Sequence, residues 1–232
     1  MHPRESYQKV INKWLNDKSL TENTQNILNR GMWCCFNPTE TYRGIMISGI
    51  NPSYDEERPE EPLDCTFEQL KDEKGRNYWE TKKQMVCGLN IPTSYIDLFP
   101  LRMTKQDSFM KDSIVPRELK AELLRITQER IEEIHPKLII NPNMLSRVYW
   151  GVIEEYPWMG YNMRRIDNPI SKGELYIIEG KLNKTGVILP NMDTCLKGTY
   201  FLQYKYHGNG VLAKEKYLTS KDISILWNHI NK

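Results

Sequence analysis

The sequence predicts one α/β domain: a mostly parallel central sheet, four-stranded or slightly larger, with helices on both faces in a three-layer α/β/α arrangement. Two observations predict it. Short, nearly continuous apolar runs, the form of strands buried on both sides, alternate along the chain with segments of helical apolar period. Three of those runs end on polar residues, Asn51, Asp97 and Asn141. Open parallel sheets bind their ligands beyond such strand ends. The 232 residues, 39% hydrophobic and 27% charged, suit a globular chain able to bury a core without staples. A helical segment over about 1–40 precedes a core over about 41–232, both within the single domain spanning 1–232.

Residues 5–30 read as one helix followed by a turn. Val10, Ile11, Trp14 and Leu15 recur at helical spacing, and a second short apolar set includes Ile27 and Leu28. Residues 42–49 form the first buried strand and end in Gly49. Asn51-Pro52-Ser53 breaks it, and the acidic, proline-containing stretch 54–64 is a surface loop. A helix covers 77–88, with Tyr78, Trp79, Met85 and Val86 on its apolar side. Residues 94–99 are the second strand, stopped by Pro100. Residues 116–134 give the clearest helix: Pro116 suits its first turn, and Leu119, Leu123, Leu124, Ile126, Ile131 and Ile134 keep the period. A third strand over 137–140 follows, then a helix at 143–151, strands over 174–178 and 185–189, and a last helix at 221–231 with Ser220 as its N-cap.

Composition narrows the function. A net charge of +2 excludes a histone-like binder and leaves room for a local basic groove. Basic residues gather at Arg102, Lys105 and Lys111, and again at Lys197, Lys205 and Lys214; a solvated surface is the plainer reading of both groups. The five cysteines are odd in number, include the adjacent Cys34 and Cys35, and form no Cys-x-x-Cys pair. They make neither a disulfide framework nor a zinc site, and free thiols point to a reducing compartment. The polar start of the chain does not read as a signal peptide, and no apolar run is long enough to span a bilayer, so a cytoplasmic location is expected. The four scattered histidines offer no metal cluster, and neither glycine-rich nucleotide loop is present, so no metal and no cofactor is expected.

Three places carry candidate chemistry. In Gly49-Ile50-Asn51-Pro52-Ser53, Gly49 allows close approach, Pro52 holds Asn51 away from helical backbone, and the Asn51 amide can accept and donate. A simple Asn-Pro turn is the alternative. Asp97 sits in an apolar stretch where a carboxylate is costly; it either faces a cleft or is satisfied by Arg102 or a backbone amide. In a cleft its pKa would rise and it could exchange a proton. His207, in a glycine-rich loop with aromatic neighbours, is an acid, base or phosphate contact, or an exposed loop histidine.

Gly49-Ile50-Asn51-Pro52 resembles the first motif of the uracil-DNA glycosylase superfamily, above all the Gly-Ile-Asn-Pro loop of its mismatch-specific branch. The resemblance implies that Asn51 orients the attacking water, with Gly49, Ile50, Pro52 and Ser53 lining the ligand. Gly75-Arg76-Asn77-Tyr78-Trp79 is similar to the stretch supplying an aromatic platform for a flipped base, a role that falls to Tyr78 or Trp79. Residues 95–102 look like the strand whose polar residue reads the base edge; the family usually has Asn there, and this chain has Asp97. An ionised carboxylate repels uracil's carbonyls and suits the amino groups of cytosine, adenine or guanine. Asn141, ending the third strand, joins the substrate-binding set. His135-Pro136-Lys137-Leu138-Ile139-Ile140 resembles the family's Arg-Pro-Lys strand entry. The family's second catalytic motif, His-Pro-Ser, is best matched by 187–195, which has no histidine; Asp193 falls near the expected position. The resemblance implies a uracil-DNA glycosylase-like fold, DNA as partner, and hydrolysis of the N-glycosidic bond of a flipped base. Two other readings stand beside it: a non-catalytic nucleic-acid-binding member of the same scaffold, and an unrelated α/β enzyme for a small metabolite.

Overall fold

The protein is described by a computed structural model over residues 3–36, 43–57, 59–60, 64–71, 78–153, 158–182, 193–205 and 217–232. The strand expected at 185–189 and His207 lie outside the described residues. The chain opens with two helices, α1 (Pro3–Leu15) and α2 (Glu22–Asn29), where the sequence pointed to one. Asp17 causes the break: its Oδ1 accepts from the backbone and hydroxyl of Ser19 at 2.8 and 2.7 Å. Thr21 then caps α2 by accepting from Thr24 N at 3.2 Å.

The strands are β1 (Cys35–Phe36), β2 (Ile45–Gly49), β3 (Cys65–Thr66), β4 (Thr93–Asp97), β5 (Leu138–Asn141), β6 (Tyr161–Ile166), β7 (Glu174–Lys181) and β8 (Tyr200–Gln203). Short β1 and β3 pair with each other, and the other six form one sheet in the order β4-β2-β5-β8-β7-β6. The first four of these run parallel. β7 is antiparallel to both β8 and β6. The sheet is thus six-stranded and mostly parallel.

Two of its strands were not expected. β8 is only four residues long and fully committed to neighbours on both sides, so it carries no visible period. β6 is an edge strand whose exposed Arg164 and Arg165 hide its alternation. They pair with Glu179 and Glu174 of β7 at 2.5 and 3.0 Å, charges of the kind that blunt an edge.

Side chains alternate between the faces of the sheet. Met46, Ile139 and Phe201 join a cluster with α1, α2 and the long α4 (Arg117–Ile134). Ile45, Ile47, Tyr95, Leu138, Ile140 and Leu202 join a second cluster with α3 (Tyr78–Val86) and α6 (Ser220–Ile230). The helix expected at 143–151 shrinks to α5 (Arg147–Trp150), because Asn143 Oδ1 accepts from Leu145 N and Ser146 N and holds those residues in a turn. The cap of α6 is Thr219 rather than Ser220: Thr219 and Asp222 form a reciprocal capping box. No helix among the described residues is long and apolar enough to cross a membrane.

Candidate functional site

The parallel strands bring Gly49 of β2 level with Asp97 of β4. Beyond that register the two chains stay joined. Leu98 N donates to Gly49 O at 3.2 Å, Phe99 N to Ile50 O at 3.0 Å and Met103 N to Pro52 O at 3.0 Å. Asn51 and Asp97 therefore reach the same rim of the sheet, at the C-terminal ends of its parallel strands.

Asn51 is 7% exposed. Its Nδ2 donates to Pro52 O at 2.8 Å and to Met103 O at 3.3 Å. Two carbonyl acceptors decide which end of the amide is nitrogen, since the flipped amide would set oxygen against oxygen. Oδ1 is then left buried, with no partner among the described residues. An orphaned buried acceptor costs about 1–3 kcal/mol, and a donor arriving from outside removes that cost.

Asp97 lies on the face covered by α3. Tyr95, two residues earlier on the same face, donates its hydroxyl to Asp97 Oδ1 at 2.8 Å. The pair lies over Gly49: a Cβ there would fall 2.0 Å from Asp97 Oδ1 and 2.1 Å from the Tyr95 oxygen. Burial pushes the Asp97 carboxyl up to about 7, opposed by the Tyr95 hydrogen bond and by the charge of Lys82. Arg102 does not satisfy it; that guanidinium donates to Arg30 O and Pro59 O, both at 2.9 Å. Asp97 also lines a small cavity with Tyr7, Trp33, Cys34 and Arg130. The centre of a water can move through only about 10 Å³ of it, close to the least that holds one water.

Tyr78 and Trp79 reach this neighbourhood as walls rather than as a bare platform. Trp79 meets Tyr95 edge-on at 4.8 Å and Trp33 at 6.0 Å, packed against the cluster under α3 and α6. One face of Tyr78 is covered by the Lys82 ammonium, 3.0 Å from the ring centroid. Lys82 is itself buried.

The remaining candidates lie elsewhere. Asn141 is on the same rim but faces the α4 side with Gln203, and its amide is fully used. Oδ1 accepts from Ser146 Oγ at 2.8 Å, while Nδ2 donates to Gln203 Oε1 at 2.8 Å and Asn143 O at 3.2 Å. It seals two strand ends. Asp193 is exposed and belongs to the opposite rim. Its neighbours Thr194 and Cys195 donate to Glu132 at 2.8 and 2.9 Å, near the end of α4, where the chain turns into the start of β5. The pairing of Asn51 with Asp193 as catalytic partners is thus corrected. The fourth parallel strand is β8, so 187–195 precedes that strand instead of following it. Ser53 is exposed beside the half-buried Pro52. The sequence reading missed Tyr95 and Lys82; the i, i+2 spacing of Tyr95 and Asp97 in a strand was the available signal.

Among the described residues, no group of three or more His, Cys, Asp or Glu side chains could hold a metal ion. Comparison with protein-family models, with curated proteins and with solved structures finds no match.

Proposed function

We propose that the chain is a nucleobase N-glycosylase with a three-layer, uracil-DNA glycosylase-like fold, acting on a flipped base in DNA. The observation that carries this reading is Asn51: an amide pinned through its nitrogen, with a buried, unpartnered oxygen at the rim where parallel sheets bind ligands. A water donating one O–H to that oxygen is held with its lone pair free. Attack on the anomeric carbon forms the new C–O bond as the C–N bond breaks. The bonding pair leaves with the base, and the water's second proton passes to solvent.

Asp97 reads the base. Its Oδ1 is held by Tyr95, which leaves Oδ2 for the ligand. With the carboxyl held at about 7, the ionised form accepts from a base N–H and the protonated form donates to a base carbonyl. A base is far larger than the water-sized cavity beside Asp97, so the reading requires the wall containing Trp33 to open.

The test is incubation with DNA carrying uracil, hypoxanthine or mismatches, scored for abasic sites. Asn51→Ala is expected to lose at least about a hundredfold in rate, the scale of removing one preorganised polar group. Unchanged cleavage by that variant overturns the assignment. One observation favours the non-catalytic alternative: Asp193 lies on the far rim, so it cannot help the departing base. Salt-sensitive binding to DNA without product would establish that alternative.

A further inference from the structure

We infer that Cys35 and Cys65 form a redox site: a small disulfide oxidises the two thiols to a reversible bridge, which pins the wall of the cavity beside Asp97. The inference stands apart from the proposed function, since no part of it requires DNA.

Register brings the two thiols together. β1 and β3 pair in parallel, with Cys35 directly opposite Cys65. Neighbouring strands lie about 4.8 Å apart, and opposite residues of such a pair project to the same face. A disulfide accepts Cα separations of about 4.4–6.8 Å, so this pair can close without a backbone shift. Packing agrees with register. Cys35 and Cys65 belong to the cluster with α3 and α6, whereas Cys34 packs into the cluster with α1, α2 and α4. Successive residues of an extended chain face opposite ways, so Cys34 points away from Cys65 and does not compete for it.

The two positions divide the chemistry. Cys65 is half-buried and Cys35 is buried, so the oxidant meets Cys65 first. Burial and the charge of Asp64 push the Cys65 thiol up, while Lys83 pulls it down. Burial and then Cys65 itself push the Cys35 thiol up. The thiolate of Cys65 attacks one sulfur of a small disulfide, and one small thiolate leaves. Cys35 then gives its proton to solvent and attacks the Cys65 sulfur of the mixed disulfide, releasing the second small thiolate. Two protein thiols lose two electrons, and one small disulfide is reduced to two thiols.

The bridge would join a fixed strand to the cavity wall. Beside β3, Asp64 Oδ1 accepts from Arg4 Nη1 of α1 at 2.7 Å, and Lys83 Nζ of α3 donates to Glu68 O at 2.7 Å. Cys35 lines the water-sized cavity together with Trp33, Cys34 and Asp97. Trp33 N donates to Pro100 O at 3.0 Å and Cys34 N to Asp64 Oδ1 at 3.0 Å. Both bonds must break for that wall to open, and a covalent tie from Cys35 to β3 opposes the opening. A spacing of about 4.8 Å is at the short end of the disulfide range, which strains the bridge and keeps it reducible. Transient, redox-sensing bridges are the kind that occur in reducing compartments.

The probe is oxidised glutathione in millimolar excess, added to the native full chain at about pH 8, where more of each thiol is ionised. A peptide linking 35 to 65 is expected within hours and is lost again with dithiothreitol. Cys34→Ala is expected to keep the linked peptide, and Cys35→Ala and Cys65→Ala to lose it. Cys65→Ala, at the half-buried position, decides the point should Cys35→Ala fail to fold. Amide hydrogen exchange over residues 33–35 is expected to slow about tenfold or more on oxidation. Uptake of glutathione by the exposed Cys87 shows that the oxidant is active. Absence of the 35–65 peptide once Cys87 is modified overturns the inference, as does a link that survives Cys35→Ala through Cys34. Equal exchange in the two redox states overturns it as well, because the bridge would then not pin the wall.

Discussion

Gly49 is glycine for want of room, not for backbone freedom. It lies outside the left-handed region, yet a single added carbon would fall on the Tyr95–Asp97 pair. Gly49→Ala is expected to cost about 1–3 kcal/mol, read as a lower melting temperature, because overpacking separates a buried hydrogen-bonded pair. Asp97 carries a pH signature. Its carboxyl is held at about 7 in the folded protein against an ordinary 3.8, with burial the main cause. Below the unfolded value both states are protonated, and this residue costs no stability. As pH rises toward 7 the unfolded chain releases its proton while the folded chain keeps it. Stability relative to Asp97→Asn should therefore fall between about pH 4 and 7, by at most on the order of 4 kcal/mol. Urea titrations of the two proteins across that range would check it; parallel curves would count against a buried, perturbed carboxyl. Asn51 and Asp97 were legible as polar residues at the ends of apolar runs. Their partners were not, because hydrogen bonds to Met103 O and to Tyr95 depend on neighbouring strands and loops.

At the scale of elements, periodicity worked where a helix has one buried face and failed where a strand is short. The long helix α4 reads almost residue for residue, since Leu119, Leu123, Leu124 and Ile131 fill its buried stripe. Its buried Lys120 reaches back to the loop before it, donating to Phe109 O at 2.9 Å and pairing with Asp112. Asp112→Ala should leave that ammonium with a carbonyl and the Trp158 ring, 5.5 Å away, and destabilise the protein by about 1–3 kcal/mol, since the Asp side of the pair is largely exposed. The measurement is a denaturant midpoint. The capping box of α6 gives a cleaner case: Thr219→Ala is expected to cost about 1 kcal/mol, and Thr219→Ser little. Equal melting temperatures for Thr219→Ala and wild type would show that the cap contributes nothing.

For the whole molecule, the rims of the sheet separate the candidates. One rim carries Asn51, Asp97 and Asn141, while Asp193 is held near Glu132 on the other. Asp193→Ala should consequently leave binding and any base release within about twofold of wild type, the usual outcome for an exposed side chain away from the reaction. The same assay that scores Asn51→Ala checks it. Loss of activity in Asp193→Ala would mean that this rim takes part.

The sequence by itself determined the alternation of helices and buried strands, the long α4, and the two strand ends that meet at the rim. These follow from local apolar period and from residues such as Pro100 and Pro136 that stop an element where they stand. Tertiary structure decided the rest: that β8 is the fourth parallel strand, that Tyr95 and not Arg102 holds Asp97, and that Asp193 is remote from Asn51. A strand's direction and its neighbours are properties of the assembled sheet, so the rim on which a loop residue falls cannot be read from that residue's own neighbourhood in the chain.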